Sequence, residues 1–264
     1  MEEHVTGVDG CARGWIAVTL SFSGFTGGSA AVNEPAVNEA AAHEAAPGTS
    51  PQPADPPGLA CADVTTTATV APRLDGLPLA CVTGIDMPLG LLSAGWRDAD
   101  LLARRALGRR GATVFAIPPR PVWECETYAE ANRVCRDLTG KGFSVQAWGL
   151  RRKIAEAEEF RRRASQATSP VQLYEVHPEL AFAAMAGAPL PDSKHTPAGL
   201  AVRRELLAAA GITLPARVAG AAEDDLLDAA AVAWSARRIT AGQAAILTSP
   251  AQRPDDGTEI AIRY

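Results

Sequence analysis

Four aspartates stand where an apolar segment ends. Asp9 directly follows the run Val5–Val8, and Asp86 follows Cys81-Val-Thr-Gly-Ile85 in the same way. Asp225 and Asp228 are three residues apart, at the head of the run Ala229-Ala-Ala-Val-Ala-Trp234. A spacing of three puts both carboxylates on one helical face. The residues behind them are too small and apolar for a surface, so this helix must pack closely, and the sheet is the surface available. Carboxylates gathered in one place repel, and one or more takes up a proton unless a cation intervenes. Mg²⁺ or Mn²⁺ suits such a set, because both prefer hard oxygen ligands and tolerate a few carboxylates alongside waters and phosphate oxygens. Two such ions roughly 4 Å apart activate a water and stabilise the leaving oxygen in phosphodiester cleavage. Each acid alone also suits a strand-end or helix N-terminal role. The joint pattern is what points to a metal.

Three further residues have the chemistry to serve the same site. Glu175 lies in the strand-like run Val171–Val176, and His177 follows it, where it could transfer protons or touch a phosphate. A lone histidine is more often a hydrogen-bonded structural residue. Lys194, beside Ser193 and shortly before Thr196-Pro197, suits phosphate binding at a helix start. Thr196 as an ordinary cap is the plain alternative. Arg104 and Arg120 could contact backbone phosphates, or simply be solvated charge.

The elements that must carry these residues alternate. Val5–Val8 and Trp15–Leu20 read as strands joined around Arg13-Gly14 in a hairpin. Asp63–Val70 and Leu79–Ile85 continue the strands, the latter closed by Pro88. Helices are expected over Arg97–Gly108, Glu126–Leu138, Val145–Arg163 (as one long helix), Thr196–Ala210 and Glu223–Ile239, with another starting at Pro178. The last helix has acids in its first turns and Arg237-Arg238 in its final one, which complements the helix dipole. Around Asp256-Gly257, Ala245–Leu247 and Ile260–Ile262 suggest a terminal hairpin. Strands followed by alternating strands and helices make an α/β plan on a mixed sheet. Residues 24–60, rich in Ala, Pro, Gly and Glu, bury too little apolar surface to offset ordering, and read as a flexible, disordered Ala/Pro-rich insertion.

The chain has 264 residues with 47% hydrophobic side chains, enough for a substantial core. Its net charge of −5 argues against bulk-charge coating of nucleic acid and against a polybasic membrane binder. Yet the stretch from Arg97 to Arg163 holds fifteen Lys/Arg against nine Asp/Glu. Such a basic region could hold a polyanion next to the acids. Alternatively, Arg151-Arg152-Lys153 and Arg161-Arg162-Arg163 pair with Glu156, Glu158 and Glu159 as a solvated helix face. The five cysteines show no C-x-x-C spacing, so a reducing, cytoplasmic location is expected. The acidic N-terminus does not read as a signal peptide, and no run of about eighteen apolar residues is present to span a membrane.

Five ordered blocks carry a resemblance: Gly7-Val-Asp9-Gly-Cys-x-x-Gly-Trp15, Ile85-Asp86-Met-Pro-Leu-Gly-Leu91, Tyr174-Glu-Val-His-Pro-Glu-Leu-Ala-Phe182, Ser193-Lys-His-Thr196 and Asp224-Asp-Leu-Leu-Asp-Ala-Ala-Ala-Val-Ala-Trp234. Together they resemble the bacterial and archaeal family catalogued as domain of unknown function 429, described as predicted nucleases with an RNase H-like fold. The resemblance runs over about four-fifths of the chain. It implies a single RNase H-like domain over residues 1–264, with a five-stranded mixed sheet flanked by helices and Asp9 on its central first strand. The run Asp225-x-x-Asp228-Ala is similar to the last-helix acids of RuvC-type junction resolvases. Asp86 takes the fourth-strand place, where those enzymes carry Glu. On this mapping Asp9, Asp86, Asp225 and Asp228 are metal ligands for Mg²⁺ or Mn²⁺, with Asp224 competing with Asp225. The substrate is nucleic acid or nucleotide-like, and because RuvC-type enzymes are dimers a homodimer is implied. Many relatives are expected to carry Lys at the position of His195. Two rivals stand beside a nuclease: an RNase H-like binding protein without hydrolysis, and a phosphotransferase acting on a small metabolite.

Overall fold

In β1 (Glu2–Cys11) and β2 (Gly14–Ser23) the two apolar runs form the expected antiparallel hairpin, with only Ala12 and Arg13 between the paired ends Cys11 and Gly14. The structure is a computed structural model and describes residues 2–23, 64–164, 166–167, 170–248, 250–254 and 256–264. The insertion expected over 24–60 lies outside the described residues. β3 (Thr65–Ala71) pairs antiparallel with β2, while β4 (Val82–Ile85) lies parallel to β1 and β5 (Gln172–Glu175) parallel to β4. The sheet order is β3-β2-β1-β4-β5, a mixed five-stranded sheet with β1 in the middle.

Helices flank the sheet in the expected order: α1 (Asp98–Ala106), α2 (Arg120–Trp123), α3 (Tyr128–Thr139), α4 (Val145–Gly149), α5 (Arg151–Ala164), α6 (Pro178–Ala186), α7 (Pro197–Ala209) and α8 (Glu223–Thr240). Two expectations need correction. The helix expected as one piece over Val145–Arg163 is broken at Leu150, which caps α4 by donating its N–H to the Ala147 and Trp148 carbonyls. The break lets the two halves face different neighbours: Trp148 joins an aromatic cluster with Phe143 and Val122, while Ile154 packs under the sheet with Val8 and Ile85. The terminal hairpin is reduced to isolated bridges, Ile246 to Arg263 and Gln252 to Ile260, and Arg263 also bridges Val176 beyond the end of β5.

One sheet face packs on α8. Val5, Ile16, Val18 and Leu20 meet Ala229, Ala230 and Ala233 there. The approach is closest at two glycines paired across β1 and β4, Gly7 and Gly84. A Cβ on Gly7 would lie 2.0 Å from the Ala233 nitrogen, and one on Gly84 would lie 2.8 Å from Val232 Cγ1. Side chains two residues apart on a strand share a face. Asp9 and Asp86, each two residues beyond its glycine, therefore emerge on the α8 face where that helix begins. Asp86 is tied to β1 by its N–H, which donates to the Val8 carbonyl at 2.9 Å. No helix among the described residues is long and apolar enough to cross a membrane.

Candidate active site

Three of the four expected ligands meet at the end of the sheet. Asp9, 8% exposed, comes from β1, Asp86 from just past β4, and Asp228, 2% exposed, from the second turn of α8. Burial holds the Asp9 carboxyl well above the usual carboxylate range, and repulsion from Asp86 and Asp228 adds to it. Burial raises Asp86 to about 8, again reinforced by Asp228. Asp228 is pushed up by burial to about 6, with Lys194 pulling the other way. Lys194, from the loop before α7, places Nζ 2.5 Å from Asp228 Oδ2 and 3.8 Å from Asp224 Oδ2. Burial opposes its charge, but Asp228, Asp9 and Asp86 outweigh burial and raise its pKa.

The remaining expected residues divide between rim and support. Asp225 is half-buried, and its Oδ2 accepts from the Ala222 N–H at 3.0 Å, closing the first turn of α8. It still adds to the repulsion on Asp9. Asp224 faces Lys194 and lies 3.6 Å from His195 Nδ1. Glu175 is buried beneath the acids, bound to Arg97 and accepting from the Leu89 N–H at 2.7 Å. Burial lifts it to about 7 against the pull of Arg97. Its partner is thus a buried arginine, with Asp100 completing the network and accepting from the Ile117 N–H. His177 lines the same pocket, and burial depresses it to about 4. Its Nδ1 is buried with no hydrogen-bond partner among the described residues.

The pocket over Asp9, Asp86 and His177 has a volume of about 170 Å³, and Met87, Phe115, Ile117 and Leu150 wall it. That is below the range of about 300–1,000 Å³ typical of whole-ligand sites. It suits one small group, such as a phosphate, better than a complete nucleotide.

A family model described as Protein of unknown function (DUF429) matches residues 7–253, from β1 to beyond α8. The chain belongs to the DUF429 family. No curated protein and no solved structure matches it.

In this DUF429 chain one residue of the site went unread in the sequence. Lys153, grouped above with a solvated helix face, turns inward from α5. It stacks over Trp15 with Nζ 4.5 Å from the ring centroid, and it donates to the carbonyls of Cys11 and Gly14. It lines the pocket beside Asp9, and burial lowers its pKa. The signal was available: Ile154 and Ala157 mark the buried stripe of this helix, and Lys153 adjoins it. Of the expected pairs within the helix only Arg162–Glu159 forms; Arg161 and Arg163 pair outside it, with Asp256 and Asp75, and Arg151 lies over the Trp148 ring. Arg120 is likewise engaged, in a two-pronged contact with Glu158.

Do these residues fit a divalent ion? The donors are hard carboxylate oxygens, and Asp228 Oδ1 is buried without a hydrogen-bond partner among the described residues. Burial holds the acids at raised pKa, with repulsion from Asp86 and Asp228 added at Asp9, and a cation would relieve both. Among the described residues, however, no three His, Cys, Asp or Glu side chains are grouped to hold one ion as they stand. Lys194 occupies the position of counter-charge instead. The donor set fits, and Asp228 would have to give up its contact with Lys194 to join it.

Two consequences are measurable. Below the ordinary carboxylate pKa these acids are neutral in both folded and unfolded chains. Between about pH 4 and 8 the folded state keeps protons that the unfolded state has lost, so stability falls as pH rises through the values near 6, 7 and 8 held by Asp228, Glu175 and Asp86. Melting of the metal-free protein is expected to drop across that window and to recover with Mn²⁺ at its upper end. A flat profile contradicts the raised carboxylates. Secondly, Lys194→Met strands Asp228 without its cation. Urea unfolding is expected to show a loss of about 2 kcal/mol at pH 8, discounted because Lys194 is partly solvated, and a much smaller loss near pH 5.

Proposed function

We propose that this DUF429 chain is a divalent-metal-dependent phosphodiesterase, a nuclease of RNase H-like and specifically RuvC-like fold. The observation that carries the reading is that Asp9, Asp86 and Asp228, from two adjacent parallel strands and the last long helix, lie close enough at one end of the sheet for the charges of Asp86 and Asp228 to push up Asp9. A central β1 bearing the first acid agrees with the sheet that the sequence resemblance implies. Asp9, Asp86 and Asp228 hold the ion, Mg²⁺ or Mn²⁺, with Asp225 at its rim. When bound, the ion supplies charge neutralisation at phosphorus and a water of lowered pKa. Lys194, once released from Asp228, steadies the charge of the phosphate. Lys153, which lines the pocket with Asp9, offers a second cation. His177, with a pKa near 4, is neutral at physiological pH. It suits proton acceptance or hydrogen bonding rather than a cationic contact. Glu175 acts through Arg97 and Leu89 as a positioning residue that fixes the loop after Asp86.

A second reading, a ligand-binding RNase H-like protein without hydrolysis, is favoured by the Lys194–Asp228 pair, which neutralises the site with no metal. A cleavage assay on single-stranded DNA, RNA, duplex and junction substrates, with Mg²⁺, Mn²⁺ or EDTA, separates the two. The nuclease reading predicts metal-dependent cleavage absent from Asp9→Asn. Binding without cleavage above the level of that variant supports the second.

A further inference from the structure

A second pocket of about 410 Å³ opens beside the acid site, and Phe115 lines both. Its walls are the rings of Trp96, Phe115 and Phe143 and the cationic side chains of Arg104 and Lys141. Trp96 and Phe115 are partly exposed and offer the stacking faces, whereas Phe143 is 8% exposed with its ring packed against Trp123, Tyr128 and Trp148. Leu101, 37% exposed, stands at the edge, and Val145, 54% exposed, follows the lining residue Ser144. These are two of the three large hydrophobic side chains exposed among the described residues. Lys141 has no side-chain partner among the described residues, and neither has the Trp96 indole N–H. Arg104 spends one nitrogen on the Val114 carbonyl at 2.8 Å, which holds its guanidinium next to the acid pocket that Val114 also lines.

Aromatic rings interleaved with cations fit a flat π-face attached to an anion. Base–aromatic stacking with backbone contacts from Lys and Arg is how single strands are held without sequence readout. The volumes divide the work: about 170 Å³ over the acids admits a phosphate, while about 410 Å³ next door admits the base and sugar that the first cannot. A base in a continuous duplex is stacked on both faces and cannot enter. We infer that the Trp96–Phe115–Phe143 pocket is a base-stacking subsite that holds an unpaired nucleotide of a single-stranded nucleic acid, with Arg104 and Lys141 on its backbone. The inference rests on the phosphodiesterase reading for the bond that is cut, and is independent of it for the strand that is held.

The test uses fluorescein-labelled oligothymidylate and the full chain in EDTA, read by anisotropy and by tryptophan emission. The strand is expected to bind and to quench part of the emission, and that part is absent in Trp96→Phe, a variant that keeps an aromatic ring in the cluster. Trp96→Ala is expected to weaken binding about tenfold or more. The solvent-exposed change Lys141→Ala should lower the slope of log affinity against log salt by about 0.7. Binding of the strand in EDTA, with no cleavage by the same unaltered chain in Mn²⁺, supports the subsite while it counts against the phosphodiesterase reading. The subsite is overturned if quenching is the same in Trp96→Phe, if Lys141→Ala leaves the salt slope unchanged, or if duplex or thymidine monophosphate binds as tightly as the strand.

Discussion

Asp9→Asn is expected to lower the proposed metal-stimulated phosphodiester cleavage roughly 1,000-fold or more in kcat/KM, about 4 kcal/mol of transition-state stabilisation. The same change is expected to stabilise the metal-free protein at alkaline pH. Burial holds the Asp9 carboxyl above its ordinary range, and the charges of Asp86 and Asp228 push it further. The amide removes one of three crowded charges while its oxygen can still accept from the Gly10 N–H, as Asp9 Oδ1 does at 2.6 Å. Lost activity together with a raised melting midpoint is a signature that simple unfolding cannot give. An unchanged rate, or a lowered midpoint with the rate retained, contradicts the assignment.

Gly7→Ala is the second large effect, and it acts through the fold. The new methyl would lie 2.0 Å from the Ala233 nitrogen and 2.2 Å from the Ala229 carbonyl oxygen. Both are backbone atoms of α8, so no side chain can swing away, and the helix must move off the sheet. The expected cost is about 3 kcal/mol in chemical denaturation. Because α8 carries Asp228, Mn²⁺ affinity should fall with it. Gly149→Ala is the control: nothing lies within 4 Å of its added Cβ, and stability should change by no more than about 1 kcal/mol. Equal effects at the two glycines would refute the close packing.

Much of this arrangement was legible because strand and helix periods are set by local chemistry. The apolar runs ending in Asp9 and Asp86, and the small-residue helix behind Asp228, fixed which acids could meet. The repeat Gly7-Val-Asp9 and Gly84-Ile-Asp86 carried more than its acids, since each glycine marks where α8 lies on the backbone, and that becomes visible only once the two strands are paired in register. The one local sign of the break at Leu150 is Gly149, a weak helix former inside an otherwise helix-favouring stretch. Tertiary packing of Trp148 and Ile154 against different clusters decides it. The partner of Glu175 was hidden for a related reason: Arg97 lies 78 residues away and is 1% exposed, a burial that composition disfavours unless the charge is paired. Lys153 was misplaced because a basic run looks like solvent-facing charge until one of its members is seen stacked on Trp15.

Anomalous diffraction from a Mn²⁺-soaked crystal tests the central claim most directly. The expected result is an Mn²⁺ peak bonded to oxygens of Asp9, Asp86 and Asp228, with the Lys194 ammonium displaced from Asp228. Lys194 still seated on Asp228, with no Mn²⁺ among these carboxylates, would contradict it.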